Sequence, residues 1–227
     1  MKKQILTFCA LAMGAFMLQS CDLFGWEDGH IVDKRISNVV PDDVRDKMED
    51  YMPIYDGILP PVVEGTYIVE PMTAVFCEDY ESGFGYAPGT EMTYPHYLEF
   101  SNQNRLRNTI DMRGVEGTST QSGEGSFISG SGNNFTIFFN TTGQSYGVDV
   151  KTALVISGTK TDLGIADLYY AFVMVEKGDD PDHEVMDEGI FRVFNDGDGL
   201  SENSTWPASV RVLEAGQLKA ITTTGKR

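Results

Sequence analysis

Positive charge is the first thing this chain is short of. Its 227 residues carry 17 Lys+Arg against 34 Asp+Glu, a formal net charge of −17 at pH 7. A surface of that sign repels phosphate backbones, so nucleic acid is excluded as a partner. Histidine is scarce as well: His30, His96 and His183 are the only three. No His-Glu-x-x-His, no Gly-x-Ser-x-Gly elbow and no phosphate-cradling glycine loop occurs. The patterns that announce a metalloprotease, a hydrolase or a nucleotide enzyme are therefore missing. His183 lies in Gly178-Asp179-Asp180-Pro181-Asp182-His183-Glu184, which reads as a solvated loop between strands. Catalysis is not expected. Nor does any apolar run reach the roughly 20 residues that a spanning helix requires.

What the chain does have begins at its first residue. Lys2 and Lys3 precede an apolar run over residues 5–18, and Leu18-Gln19-Ser20-Cys21 follows. A short basic start, about 7–15 apolar residues and a small residue ahead of the cut describe a secretory signal over residues 1–20. The closing four residues resemble a bacterial lipobox, which implies that Cys21 becomes the lipid-modified first residue of the mature protein. Cleavage removes two lysines and leaves 15 Lys+Arg against 34 Asp+Glu. Contact with a membrane then rests on the acyl chains of Cys21, of which about two are needed for lasting anchorage. Cys9 departs with the signal and Cys21 is consumed by lipid. Cys77 stands alone, so no internal disulfide is expected despite export to an oxidising compartment. It ends the apolar run Thr73-Ala74-Val75-Phe76-Cys77 and reads as a buried small hydrophobe.

Residues 21–40 lack a sustained period and read as a tether. Residues 41–52 predict one helix: Pro41 suits a first turn, Asp42 and Asp43 complement the positive end of the dipole, and Val44, Met48, Tyr51 and Met52 form one apolar stripe. Pro53 stops it, and a proline-rich connector runs to residue 61. From residue 62 to 227, short β-branched and aromatic runs alternate with Gly, Asn, Asp and Ser clusters, which predicts a single antiparallel β domain. Strands are expected near 65–77, 95–101, 104–112, 124–130, 134–140, 150–158, 165–176, 189–195, 208–214 and 217–223. The firmest hairpin joins Ser126-Phe127-Ile128 to Phe135-Thr136-Ile137-Phe138-Phe139, and a second is expected over 210–221. Residues 166–175 are almost wholly apolar, as in a central strand covered on both faces. The expected fold class is all-β: an antiparallel barrel, or alternatively a two-layer sandwich, preceded by one short helix.

Gly65-Thr66-Tyr67 at the start of the first strand resembles the Gly-x-Trp opening of lipocalin-type barrels, with Tyr in the tryptophan position. The domain length matches as well, so the resemblance implies a lipocalin-like barrel. Taken with the Pro60-Pro61 entry and Ile128-Ser129-Gly130-Ser131-Gly132-Asn133-Asn134-Phe135, the lipobox also resembles uncharacterised exported lipoproteins of the Bacteroidetes type. That likeness imports no activity. It does imply the outer membrane, and Asp22, Glu27 and Asp28 after the lipidated cysteine form a loose version of that group's surface-export signal, tilting the expectation toward the outer face over the periplasmic one.

Two stretches of the β domain are candidates for binding. The segment 79–97 is long for a connection and carries Tyr80, Phe84, Tyr86, Tyr94 and Tyr97. These rings either receive a small apolar or glycan ligand or pack down as a plug. In Asn195-Asp196-Gly197-Asp198-Gly199-Leu200-Ser201-Glu202, the hard oxygens of Asp196, Asp198 and Glu202 suggest calcium, although the spacing is not that of an EF-hand. The alternative is a plain turn after a strand. The expected function is ligand binding by an anchored envelope lipoprotein. The competing class is an accessory lipoprotein that contacts another outer-membrane protein or an extracellular polymer. A cavity of about 300–1,000 Å³ under the 79–97 segment separates the two.

Overall fold

The computed structural model describes residues 24–27, 30–33, 35–117, 119–145 and 148–207. Two short strands, β1 (Phe24–Glu27) and β2 (His30–Asp33), pair with each other alone. After a 3-10 turn at Ile36–Asn38 come an α-helix, α1 (Asp42–Met48), the only one among the described residues, and a two-residue strand β3 (Ile58–Leu59). The remaining strands are β4 (Gly65–Val69), β5 (Met72–Cys77), β6 (His96–Asn104), β7 (Thr109–Glu116), β8 (Ser119–Ser131), β9 (Asn134–Ser145), β10 (Val148–Lys160), β11 (Gly164–Lys177), β12 (Phe191–Asp196) and β13 (Leu200–Glu202).

These strands build a nearly closed antiparallel barrel, of the two architectures expected. The order across the sheet is β4-β6-β7-β8-β9-β10-β11-β12-β5. Eight successive antiparallel pairings separate β4 from β5, so the two end strands run in the same direction. Only Glu70 and Pro71 lie between them. They are two halves of one interrupted strand, the first laid on β6 (Val69 opposite His96) and the second on β12 (Cys77 opposite Arg192). The 65–77 strand read from the sequence is this element, and its interruption lets one strand close the ring by pairing on both sides. A proline at the break removes a ladder donor where no ladder is needed. At one end β13 spans the seam, pairing with β11 while Asn203 bridges Tyr67.

Side-chain alternation divides the apolar residues between two layers. Leu98, Phe100, Ile110, Met112, Leu154, Ile156, Leu168 and Tyr170 point into the barrel. Their neighbours Ala153, Val155, Ala171, Val173, Phe191 and Val193 point outward, under α1. β11 is thus covered on both faces, as its apolar run predicts. Val44, Met48 and Met52 are the buried stripe of the helical segment, and Ile36, Val39 and Val40 from the stretch read as tether join the same layer. The helix is shorter than expected. Pro41 serves as its cap, the regular helix ends at Met48, and a mixture of i→i−3 and i→i−4 bonds carries the chain to Met52. Tyr51, expected in the stripe, is 37% exposed and stacks on Phe76 with ring centroids 3.8 Å apart.

Residues 105–108, read as strand, form the β6–β7 turn. The firm hairpin is tighter than expected: β8 and β9 pair to Ser131 opposite Asn134, leaving only Gly132 and Asn133 to turn, with Gly132 at φ 63°. The strands expected at 208–214 and 217–223 lie outside the described residues, as does Cys21. Among the described residues no helix is long and apolar enough to cross a membrane.

Candidate functional site: a polar layer at one end of the barrel

The inward positions of the strands change chemistry toward one end. On β6, Phe100 and Leu98 face the core, and two residues earlier the same face presents His96. On β7, Ile110 and Met112 are followed at inward spacing by Gly114 and then Glu116. Gln121 stands opposite Gly114 on β8, and Arg192 precedes Phe194 on β12. A cavity of about 240 Å³ opens among these four polar residues and Met72, Tyr86, Met92, Tyr170, Phe172 and Phe194. Its volume falls just below the range typical of drug-sized ligands, so it suits a smaller molecule.

A chain of hydrogen bonds crosses the cavity wall. The Tyr170 hydroxyl donates to Gln121 Oε1 at 2.9 Å, and with the amide so oriented Gln121 Nε2 lies 3.0 Å from His96 Nε2 and donates to it. Gly114 makes this possible: a Cβ there would sit 2.8 Å from Gln121 Nε2 and 3.1 Å from His96 Nε2. Burial strips water from the His96 ring and lowers its pKa to about 4, so it is neutral at physiological pH. Its Nδ1 has no partner among the described residues. Burial also raises the Tyr170 phenol, against the opposing bond to Gln121, and raises the Glu116 carboxyl.

Arg192 ties the wall to the long connection. Its Nε donates to Asp79 Oδ1 at 3.0 Å, and its Nη2 donates to Asp79 Oδ2 at 2.5 Å and to the Phe84 carbonyl at 3.2 Å. Burial alone would lower the arginine's pKa, but the bond and charge of Asp79 raise it. Cys77 stands across the ladder from Arg192, buried and unpaired, its thiol pushed up by burial. It is the core hydrophobe expected from its run.

The 79–97 segment turns out to be part of the wall. After a 3-10 turn at Tyr80–Ser82, it returns along the edge of β5 that β12 leaves free. Ala74 N–H donates to the Thr90 carbonyl, Gly89 N–H to Ala74 and Met92 N–H to Met72, each at 2.8 Å. Met92 and Tyr86 reach the cavity. The other four rings do not. Tyr80, Phe84 and Tyr94 are 43%, 54% and 59% exposed, and Tyr94 lies over Gly117. Tyr97 belongs to β6, where its odd position points outward onto Val115 and Trp206. Strand parity decides this, and counting aromatics along the segment could not reveal it. The same parity, extended from Leu98 to His96 and from Met112 to Glu116, was the available signal for the polar layer.

Of the three calcium candidates, Asp196 and Asp198 lie close enough for the Asp198 side chain to act on Asp196, but Glu202 does not join them in a metal-holding group. Asp196 is an inward residue of β12, 2% exposed, and accepts from Ser201 Oγ at 2.7 Å. Asp198 accepts from Leu200 N–H at 3.0 Å in the turn between β12 and β13. Glu202 is exposed beyond that turn, paired with Gly164. Among the described residues no three His, Cys, Asp or Glu side chains gather as a metal site. The stretch is a turn, with Gly199 supplying φ 86°. His183, as expected, is exposed on the loop after β11.

Fold and site together define a small, nearly closed antiparallel barrel, helix-covered on one side, with a half-polar cavity at one end. The chain matches no protein-family model, no curated protein and no solved structure.

Proposed function

We propose that this is an exported lipoprotein of the Bacteroidetes type, anchored through acyl chains on Cys21 in the outer membrane, whose barrel binds a small ligand. The observation that carries ligand binding is the replacement of core hydrophobes by His96, Glu116, Gln121 and Arg192 at inward positions. Gln121 and Arg192 are satisfied within the wall, but His96 Nδ1 has no partner among the described residues and burial raises the Glu116 carboxyl, which leaves polar groups for a ligand to meet. Six apolar or aromatic side chains complete the lining, which suits a ligand with an apolar body or the faces of a sugar. Anchorage is supported by Lys2, Lys3, the apolar run and Leu18-Gln19-Ser20-Cys21.

The test has two arms. Full-length protein made in a Gram-negative host with an alkyne-tagged palmitate should carry the tag, and Cys21→Ala should lose it; equal labelling of both would refute the anchor. Carbon-13 methyl spectra of Met72 and Met92 should shift with a small-molecule library, and a library that moves neither would refute the pocket. The exposed rings of Tyr80, Phe84 and Tyr94 favour a second reading, in which this end of the barrel contacts another outer-membrane protein or an extracellular polymer. Cross-linking on intact cells from position 84 distinguishes it.

A further inference from the structure

The charges around the cavity are not balanced. Arg192 is neutralised by its two bonds to Asp79 and also serves the Phe84 carbonyl. His96 is neutral. That leaves Glu116, whose carboxylate has no cation and no hydrogen-bond donor facing it among the described residues, and which is close enough to Tyr170 to raise its phenol. Four rings line the same cavity, of Tyr86, Tyr170, Phe172 and Phe194. An aromatic-lined cavity with one unpaired carboxylate is a poor host for an anion. A fatty acid would bring a second negative charge to Glu116, with Arg192 already engaged. A neutral apolar guest would strip water from the carboxylate and give nothing back. A cation meets both needs, since ring faces attract it and the carboxylate neutralises it.

Resting on the reading that this cavity binds a ligand, we propose that its ligand is a small organic cation, an ammonium group on a compact apolar body, with the charge at Glu116 and the body among the rings. The cavity is too small for a long acyl chain, so selectivity comes from the head group and not from length. Within this arrangement His96 Nδ1 is free to bond a polar substituent of the same guest.

Benzylamine, benzyl alcohol and benzoate have nearly one shape and differ in charge, and methyl glucoside represents a sugar. Each is titrated into the full chain, purified from membranes into nanodiscs of neutral phosphatidylcholine, while the methyl signals of Met72 and Met92 are followed, assigned through Met72→Leu and Met92→Leu. Benzylamine should bind about tenfold or more tightly than benzyl alcohol, and benzoate should not saturate. In Glu116→Gln that preference for the amine should vanish. If the alcohol, benzoate or the glucoside binds as well as the amine, the cavity is a ligand site but not one for cations, and this inference fails alone. An amine preference that survives Glu116→Gln also overturns it. If no probe moves either methyl, the inference falls together with the ligand-binding reading.

Discussion

Arg192 and Asp79 meet as a two-pronged pair, Nε on Oδ1 at 3.0 Å and Nη2 on Oδ2 at 2.5 Å, and so hold the 79–95 segment against the start of β12. Asp79 is 7% exposed, and two parallel charge-assisted bonds satisfy both its oxygens. Removing the arginine leaves that carboxylate buried and unpaired. Arg192→Met should therefore lose about 3 kcal/mol of stability in urea unfolding, and limited proteolysis should cut first within residues 79–95. The double variant Arg192→Met, Asp79→Asn should recover most of the loss, because no charge is then left unpaired. A single variant within 0.5 kcal/mol of wild type, roughly the size of an exposed pair, would mean that solvent screens the contact.

Acid should act on His96 with a definite sign. The folded ring titrates at about 4, below its ordinary value of 6.5, because burial disfavours the imidazolium. Between these values the unfolded chain takes up a proton that the folded chain refuses. Stability from this group is therefore present above pH 6.5 and is lost as pH falls toward 4, by about 3 kcal/mol at the acid end. His96→Phe removes the titration. Relative to wild type, its urea midpoint should improve steadily from pH 6.5 to 4.5. A constant difference across that range would show that the ring is hydrated and not sealed in the wall.

Asp196 should act in the opposite direction over nearly the same range. Burial first, and the neighbouring Asp198 charge after it, raise its folded pKa to about 6 from 3.8, against the bond from Ser201. Between pH 4 and 6 the folded chain keeps a proton that the unfolded chain gives up, so this group destabilises the fold as pH rises. Asp196→Asn keeps an acceptor for Ser201 and removes the charge. It should be more stable than wild type at pH 7.5, by on the order of 1 kcal/mol after allowance for partial solvation, and show no advantage at pH 4. In the wild-type chain the His96 and Asp196 effects partly cancel, so the two single variants reveal pH dependence that the native protein conceals. Asp196→Asn no more stable than wild type at pH 7.5 would place the carboxylate in water.

How far these sites could be read in advance depends on the range of the interactions involved. β11 was legible because Ala171 and Val173 must be apolar for the helix layer while Leu168 and Tyr170 must be apolar for the interior, so the run itself records burial on both faces. α1 was legible from Val44 and Met48, but its end was not. The stripe continues in spacing to Met52 while the backbone has already left the α-helix. A barrel was expected, but the way its ring closes could not be read. Whether residues 65–69 and 72–77 pair with one neighbour or two depends on β6 and β12, about 30 and 120 positions away in the chain. Aromatic content drew attention to the 79–97 segment correctly, yet only Tyr86 of its five rings lines the cavity. His96 and Glu116 lay on inward positions that parity identifies once register is known. Asp196, Asp198 and Glu202 fitted calcium by composition, but only Asp196 and Asp198 come together, and no third ligand joins them among the described residues.

Gly65 and Tyr67 offer the sharpest test of the barrel's other end. The Tyr67 ring is fully buried beside Phe100, with centroids 5.9 Å apart, and its hydroxyl donates to the Val63 carbonyl at 3.0 Å. Burial pushes the phenol up to about 12. The Lys160 ammonium lies 5.3 Å from the ring centre. Gly65 sits at φ 144°, and a Cβ there would come within 3.2 Å of the Tyr67 hydroxyl oxygen. The glycine is thus needed twice, for its backbone angle and for the space the hydroxyl fills. Tyr67→Phe should lose about 1–2 kcal/mol by leaving the Val63 carbonyl without its donor. Gly65→Ala should lose about 2 kcal/mol, part from the backbone angle and part from the crowded oxygen. Only the second part depends on the hydroxyl. In the double variant the losses should therefore sum to less than additivity, by roughly 0.5–1 kcal/mol in urea unfolding. Strict additivity would mean that the backbone angle alone excludes a side chain at position 65, and that the Gly-x-Tyr pair is two separate requirements and not one.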